Sequence, residues 1–428
     1  MLKASLSFKL ESAFWQKKKF EKSFVLRQAI FLYPAVGKGA RSKRRKNSIG
    51  FLVCIGGCVV SFSLTFENDK FTDPMNDVSI VREKLIQSWN WTPPENWMKI
   101  QTIDLHTCGE PLRVFVDGLP DLKGKSVLAK RRYFRDHLDF IRTGTMWEPR
   151  GHADMYGAVI TEPDFSDADF GTFFMHNEGY STMCGHAIIA LVTLVLNTGI
   201  IEKEGRSPVL RIDAPCGRIT ATAVRGEDEM VDSVSFLNVP SFVLYSDQTV
   251  KVPGIGEVRF DLAYGGAFYT YVKAEPLGLR LDGSDYSRLI DYGRRIKHAV
   301  SEQYEAKHPF EEDLSFLYGT IFTGKSYEGH HSRNVCVFAD GEVDRSTTGS
   351  GVSGRAAIHY AKGELKLNEP ITIESIIGTV MDVEVGETVD YGGYEAVVPK
   401  VTGNAFIVGK NEFFFDPKDA LKCGFVLR

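Results

Sequence analysis

Little in this 428-residue chain points to nucleic acid, a disulfide framework or a metal centre. Its 51 Lys and Arg against 55 Asp and Glu leave a net charge of −4, so no global basic field draws a polyanion, and no nucleic-acid partner is expected. Seven cysteines stand at 54, 58, 108, 184, 216, 336 and 423, an odd number at irregular spacing with no C-x-x-C pair. A chain this long is no small disulfide scaffold. The pattern reads as a reduced, cytoplasmic protein with mostly inert thiols and at least one free to react. His106-Thr107-Cys108-Gly109-Glu110 carries ligand-type side chains, but no second cluster completes a coordination shell. Turn residues are the better reading there, and no metal is expected.

Residues 49–66 form an uncharged run at the short end of bilayer-spanning length, which is roughly 17–25 residues. Lys17, Lys18, Lys19 and the 41–46 basic cluster precede it, and Glu67 and Asp69 follow, the charge order of a signal anchor. Its Gly, Ser and Thr content keeps its hydrophobicity modest. The favoured reading treats 1–97 as a basic and hydrophobic N-terminal extension and linker outside the working fold. Membrane contact through 49–66 is the minority alternative. Residues 71–97, which include Trp91-Thr92-Pro93-Pro94, read as a linker or a short surface helix.

The apolar fraction of 43% and charged fraction of 25% suit a globular body. From Met98 onward, strand-length β-rich runs alternate with Gly and Pro breaks. Residues 187–199 are apolar all round and predict a buried helix ended by Gly199. Residues 284–307 predict a polar amphipathic helix, and a further helix is expected from about Ser353 to Lys362. The order is strands, helix, strands, given twice, and each helix follows a Gly-rich turn. The fold class is therefore α+β with two pseudo-symmetric lobes. The first spans 98–240, joined by part of about 400–428; the second spans 241–399. Facing helix N-termini would form a cleft suited to a carboxylate, because their N–H groups are unpaired and carry partial positive charge.

Cys184 stands at one such loop–helix junction, where the helix start is expected to lower its thiol pKa. Gly185 would let a ligand approach the backbone closely. Cys184 and His186 are two apart, and such positions on a helix do not face each other. His186 is thus expected to contribute its backbone N–H rather than act as a base. Gly349, Gly351 and Gly354 spell G-x-G-x-x-G, but polar residues 344–348 intervene where a dinucleotide fold needs a strand. A small-anion site fits better, with Asp344 placed to hold an amine. The 151–157 turn is expected to line the cleft too, and Tyr264-Gly265-Gly266 reads as close backbone approach inside a strand.

Taken together, HTCGEPLR (106–113), EPRGHADMYG (148–157), HNEGYSTMCGHAIIAL (176–191), AYGGAFY (263–269), DRSTTGSGVSGRAA (344–357) and GFVLR (424–428) resemble the proline racemase family, in the family's order and over residues 98–428. The resemblance implies two lobes of diaminopimelate-epimerase-like fold, each a curled sheet around a central helix, with the active site in the cleft. It implies a site without a cofactor, and often a homodimer. In the family's racemases and epimerases, one Cys from each lobe flanks the substrate Cα. Cys184 matches the first of these, while Thr348 stands at the second. A Thr hydroxyl is no matched acid or base near neutral pH.

Thr348 and its surroundings look like the branch that dehydrates trans-3-hydroxy-L-proline. By resemblance, the catalytic positions are Cys184 and Thr348. Substrate binding falls to Gly185, His186, Asp344, Gly349 and Ser350. The alternatives are a proline or hydroxyproline racemase or epimerase, and a non-catalytic amino-acid-binding protein. Cys108 stands where the family usually has Gly, and no catalytic part is expected of it.

Overall fold

The computed structural model describes residues 5–8, 47–55, 58–66 and 74–427, with side chains from residue 81 onward. It divides into two units, Met1–Thr92 and Pro93–Arg428. In the first, strand Cys58–Phe66 pairs antiparallel with both Ser5–Phe8 and Asn47–Ile55. The candidate spanning run 49–66 is thus two strands rather than one helix, in keeping with its Val, Phe and Ser content and the Gly56-Gly57 break in its sequence. Helix α1, Pro74–Ser88, follows. No described helix is long and apolar enough to cross a membrane. The basic clusters at 17–19 and 41–46 lie outside the described residues.

The second unit is α+β, as expected. Its helices are α2 (Val127–His137), α3 (Asp139–Met146), α4 (Gly185–Asn197), α5 (Tyr286–Gln303) and α6 (Gly349–Ala361). One strand ladder runs in the order 405–415, 98–107, 110–117, 156–161, 170–176, 209–214, 217–225, 231–237. The other runs 242–252, 256–264, 268–273, 317–324, 332–338, 371–374, 380–391, 394–403. Both ladders show the same succession of neighbours: antiparallel twice, parallel, antiparallel, parallel, antiparallel twice. The duplication that is faint in the sequence is therefore explicit in the strand pairing. Strands 231–237 and 394–403 join the ladders by antiparallel pairing.

Each ladder packs around one helix. Helix α4 touches 98–107, 110–117, 217–225 and 231–237 of the first, whereas α6 touches 242–252, 256–264, 380–391 and 394–403 of the second. Residues 185–196 of α4 are all buried, which explains why its apolar residues show no stripe. Gly199 at φ 71° closes it. By contrast, α5 buries only Leu289, Gly293, Ile296, Ala299 and Val300, the spacing of a half-exposed helix. Helix α6 starts at Gly349, four residues before the expected Ser353; its Gly-rich first turn is a poor helix former by itself but is buried through Ile358. Gly265-Gly266 lies in the turn after strand 256–264 rather than inside it, and a Cβ on Gly265 would come within 2.2 Å of the Ser350 carbonyl oxygen.

Candidate active site

Two helix starts build the site. Cys184 caps α4 with an extended backbone (φ −146°, ψ 102°), and Thr348 caps α6 at φ 67°, ψ 95°. The first helical residues, Gly185 and Gly349, abut: a Cβ on either would lie 2.6 Å from the other's Cα. The approach expected of a ligand at Gly185 is thus taken by the opposite helix. A small cavity opens beside the contact. Cys184, Gly185, His186, Asp344, Thr348, Gly349 and Ser350, all seven residues singled out from the sequence, line it. Glu110 also lines it, and Met183, Tyr156, Tyr269, Tyr318 and Phe338 complete the walls.

The thiol does not behave as its helix-start position suggests. Cys184 is only 4% exposed. Burial pushes its thiol well above the ordinary range, and the Asp344 carboxylate adds to the rise; the Ala187 N–H and Tyr156 hydroxyl pull it partly back. Loss of water therefore outweighs the helix N-terminus. His186 is a second correction. Its Nδ1 lies 3.1 Å from Cys184 Sγ. Cys184 is the cap, outside the helical turn, so the rule separating residues two apart does not apply and the imidazole folds back onto the thiol. Burial holds His186 below the usual histidine range, which favours its neutral ring.

The 344–348 turn is tied down residue by residue. Ser346 N–H donates to Asp344 Oδ1 (2.7 Å), and Thr348 N–H donates to Ser346 Oγ (3.0 Å). Arg345 points away from the cavity chemistry: its Nη1 bonds Asp154 Oδ2 at 2.5 Å, and Tyr286 also donates to that oxygen. This explains the Asp of the 148–157 motif. From the same motif Tyr156 reaches the cavity, while His152 is exposed.

Arg345 N–H donates to Glu110 Oε2 at 2.7 Å. Glu110 is fully buried, and burial followed by Asp344 holds its carboxyl well above the usual carboxylate range. Within its local motif Glu110 reads as a turn residue; only its long-range neighbours reveal it as part of the site. Cys108 adopts φ 55°, which accounts for the usual Gly at that position, and its thiol donates to the Val380 carbonyl. Burial pushes that thiol up to about 11, and it does not line the cavity.

The G-x-G-x-x-G of α6 is a packing device. Gly349 meets Gly185, a Cβ on Gly351 would lie 2.4 Å from Ile321 Cδ1, and one on Gly354 would lie 2.1 Å from the Tyr271 hydroxyl. Among the described residues, no group of three or more His, Cys, Asp or Glu is placed to hold a metal ion.

These features define a class: an α+β protein in which two equivalent helix starts face one small polar cavity. The chain belongs to the proline racemase family, matching it over residues 102–426. It is 49% identical over 352 residues to a trans-3-hydroxy-L-proline dehydratase of Colwellia psychrerythraea, covering 81% of this chain and 99% of that protein. It is 44% identical to the trans-3-hydroxy-L-proline dehydratase of Homo sapiens, covering 77% of this chain and 95% of that protein. Among solved structures it is similar to a hydroxyproline epimerase from Agrobacterium vitis with bound trans-4-hydroxy-L-proline. The TM-score is 0.72 at 29% identity, covering 77% of this chain and 96% of that one.

Proposed function

We propose that this chain is a hydro-lyase that converts trans-3-hydroxy-L-proline to Δ1-pyrroline-2-carboxylate and water. The observation that carries this reading is the unequal pair of helix caps, Cys184 on α4 and Thr348 on α6, lining one cavity. Racemisation needs matched proton carriers on both faces of Cα, and a Thr hydroxyl is far too weak an acid. Dehydration needs only one face. In trans-3-hydroxy-L-proline the Cα hydrogen and the C3 hydroxyl both lie opposite the carboxylate, hence on the same side of the ring.

In this mechanism the substrate carboxylate accepts N–H groups of Gly185, His186, Gly349 and Ser350, which open their helices and lack intrahelical partners. One such donor is worth roughly 3–4 kcal/mol as charge spreads from Cα. Asp344 takes the ring ammonium, which offsets the field that raises the Cys184 thiol. His186 Nδ1, 3.1 Å away, accepts the thiol proton. The thiolate removes the Cα proton, the C3–O bond breaks, and the resulting thiol can protonate the leaving hydroxide. The enamine then tautomerises to the product.

Incubating the purified protein with trans-3-hydroxy-L-proline tests this reading, with pyrroline-2-carboxylate as the expected product. Its absence would sink the proposal. Solvent deuterium entering Cα of proline or 4-hydroxyproline without water loss would instead mark a racemase or epimerase. Saturable binding without turnover would mark a binding protein.

We also infer two lobes, 98–240 with about 400–428, and 241–399. Pairing of Ala405–Phe415 with Met98–Thr107 supports the return of the C-terminal segment to the first lobe. A cytoplasmic location is favoured by the described cysteines 108, 184, 216, 336 and 423 all being free thiols.

A further inference from the structure

We propose that Glu110 donates the proton that turns the departing C3 hydroxide into water. The proposal rests on the dehydratase reading and replaces Cys184 as the source of that second proton. Three observations place Glu110 in the role. It lines the cavity together with Cys184 and Asp344. It begins strand Glu110–Asp117, which packs against α4, the helix that Cys184 caps. Its two oxygens are also unequal: Oε2 accepts the Arg345 N–H, whereas Oε1 is buried without a hydrogen-bond partner among the described residues.

A buried polar atom without a partner is costly, and a substrate hydroxyl in this cavity would satisfy it. Because Oε2 already accepts a hydrogen bond, the acid proton belongs on Oε1, the oxygen left for the substrate. Burial holds the Glu110 carboxyl well above the usual carboxylate range, which suits an acid, while Asp344 shares the cavity and is placed to hold the ammonium.

The Cys184 thiolate takes the Cα proton, and the electrons of the Cα–H bond form the Cα=C3 double bond. The C3–O bond breaks with its pair on oxygen, and the Oε1 proton joins that oxygen as water. Glu110 is left as carboxylate and Cys184 as thiol. Transfer of the thiol proton back to Glu110 restores both.

The test is Glu110→Gln. A neutral acid and an amide have nearly the same shape, and Gln can still accept the Arg345 N–H, so only the transferable proton is lost. Water loss should fall at least about 100-fold with KM and thermal midpoint retained. Substrate recovered from D₂O should still acquire deuterium at Cα. A substrate with fluorine in place of the C3 hydroxyl needs no proton on its leaving group, so the variant should release fluoride at close to the wild-type rate. Unchanged water loss would overturn the proposal and return the second proton to Cys184. Equal loss of dehydration, exchange and fluoride release would overturn it too, making Glu110 a positioning residue. If the variant does not fold, the wild-type protein decides. Its water loss should decline as pH rises through the pKa of the acid, and fluoride release should show no such decline; identical profiles would overturn the proposal. A wild-type protein that forms no pyrroline-2-carboxylate defeats the underlying dehydratase reading instead.

Discussion

The starts of α4 and α6 occupy equivalent places in two ladders of identical pairing pattern, yet they offer different chemistry. Cys184 has a relaxed extended backbone and a thiol in contact with the His186 imidazole. Thr348 holds a β-branched side chain at φ 67°, a costly conformation outside special sites. Its hydroxyl neighbours the Cys336 thiol, a fully buried group that burial pushes well above its ordinary range. The scaffold thus keeps its duplicated strand pairing and the abutting Gly185 and Gly349, while only one helix cap carries a thiol. Symmetry of backbone does not require symmetry of function.

The comparison breaks most completely at its active half. Cys184→Ser should lower pyrroline-2-carboxylate formation by at least about 1,000-fold, since a hydroxyl cannot replace the thiol as base. A direct product assay checks this, and unchanged activity would remove Cys184 from the mechanism.

The contact between the halves comes next. Gly185→Ala puts a Cβ 2.6 Å from Gly349 Cα, where backbone rather than a flexible side chain must give. Unfolding in denaturant should show a loss of about 1–3 kcal/mol, together with weakened substrate binding.

The smallest expected effect sharpens the comparison instead. Thr348→Cys should restore a second thiol and introduce slow proline racemisation or hydroxyproline epimerisation, measured by chiral chromatography, with water loss largely kept. No trace of stereoinversion would mean that more than the missing thiol separates the two halves.

Much of the site is legible in local sequence because its parts are local. The Met183–His186 and Asp344–Gly351 segments each bring their loop, cap and first helical turn together within a few residues. The apolar 187–199 run and the Gly199 stop mark α4 to within two residues of its observed ends. Helices α2 and α3 are less legible in the sequence. The local sign of α2 is Ser126, whose Oγ accepts the Ala129 N–H as an N-cap, but the polar VLAKRRYFRDH that follows carries no strong apolar period. The 49–66 run misled in another way, since its composition suits a spanning helix while its residue types favour strands.

By itself, the sequence determined that a Cys stands beside one Gly-rich turn, at 184, and a Thr beside the other, at 348. Side-chain chemistry is a property of the residue and does not wait for folding. Only the tertiary structure decided how that thiol behaves. Its raised pKa sums the loss of water with the field of Asp344, and its near neighbour is an imidazole that the cap geometry turns back. Glu110 becomes part of the site only because Arg345, 235 residues away, comes within hydrogen-bond reach. Burial and electric field depend on everything nearby in space, which no local stretch of sequence encodes.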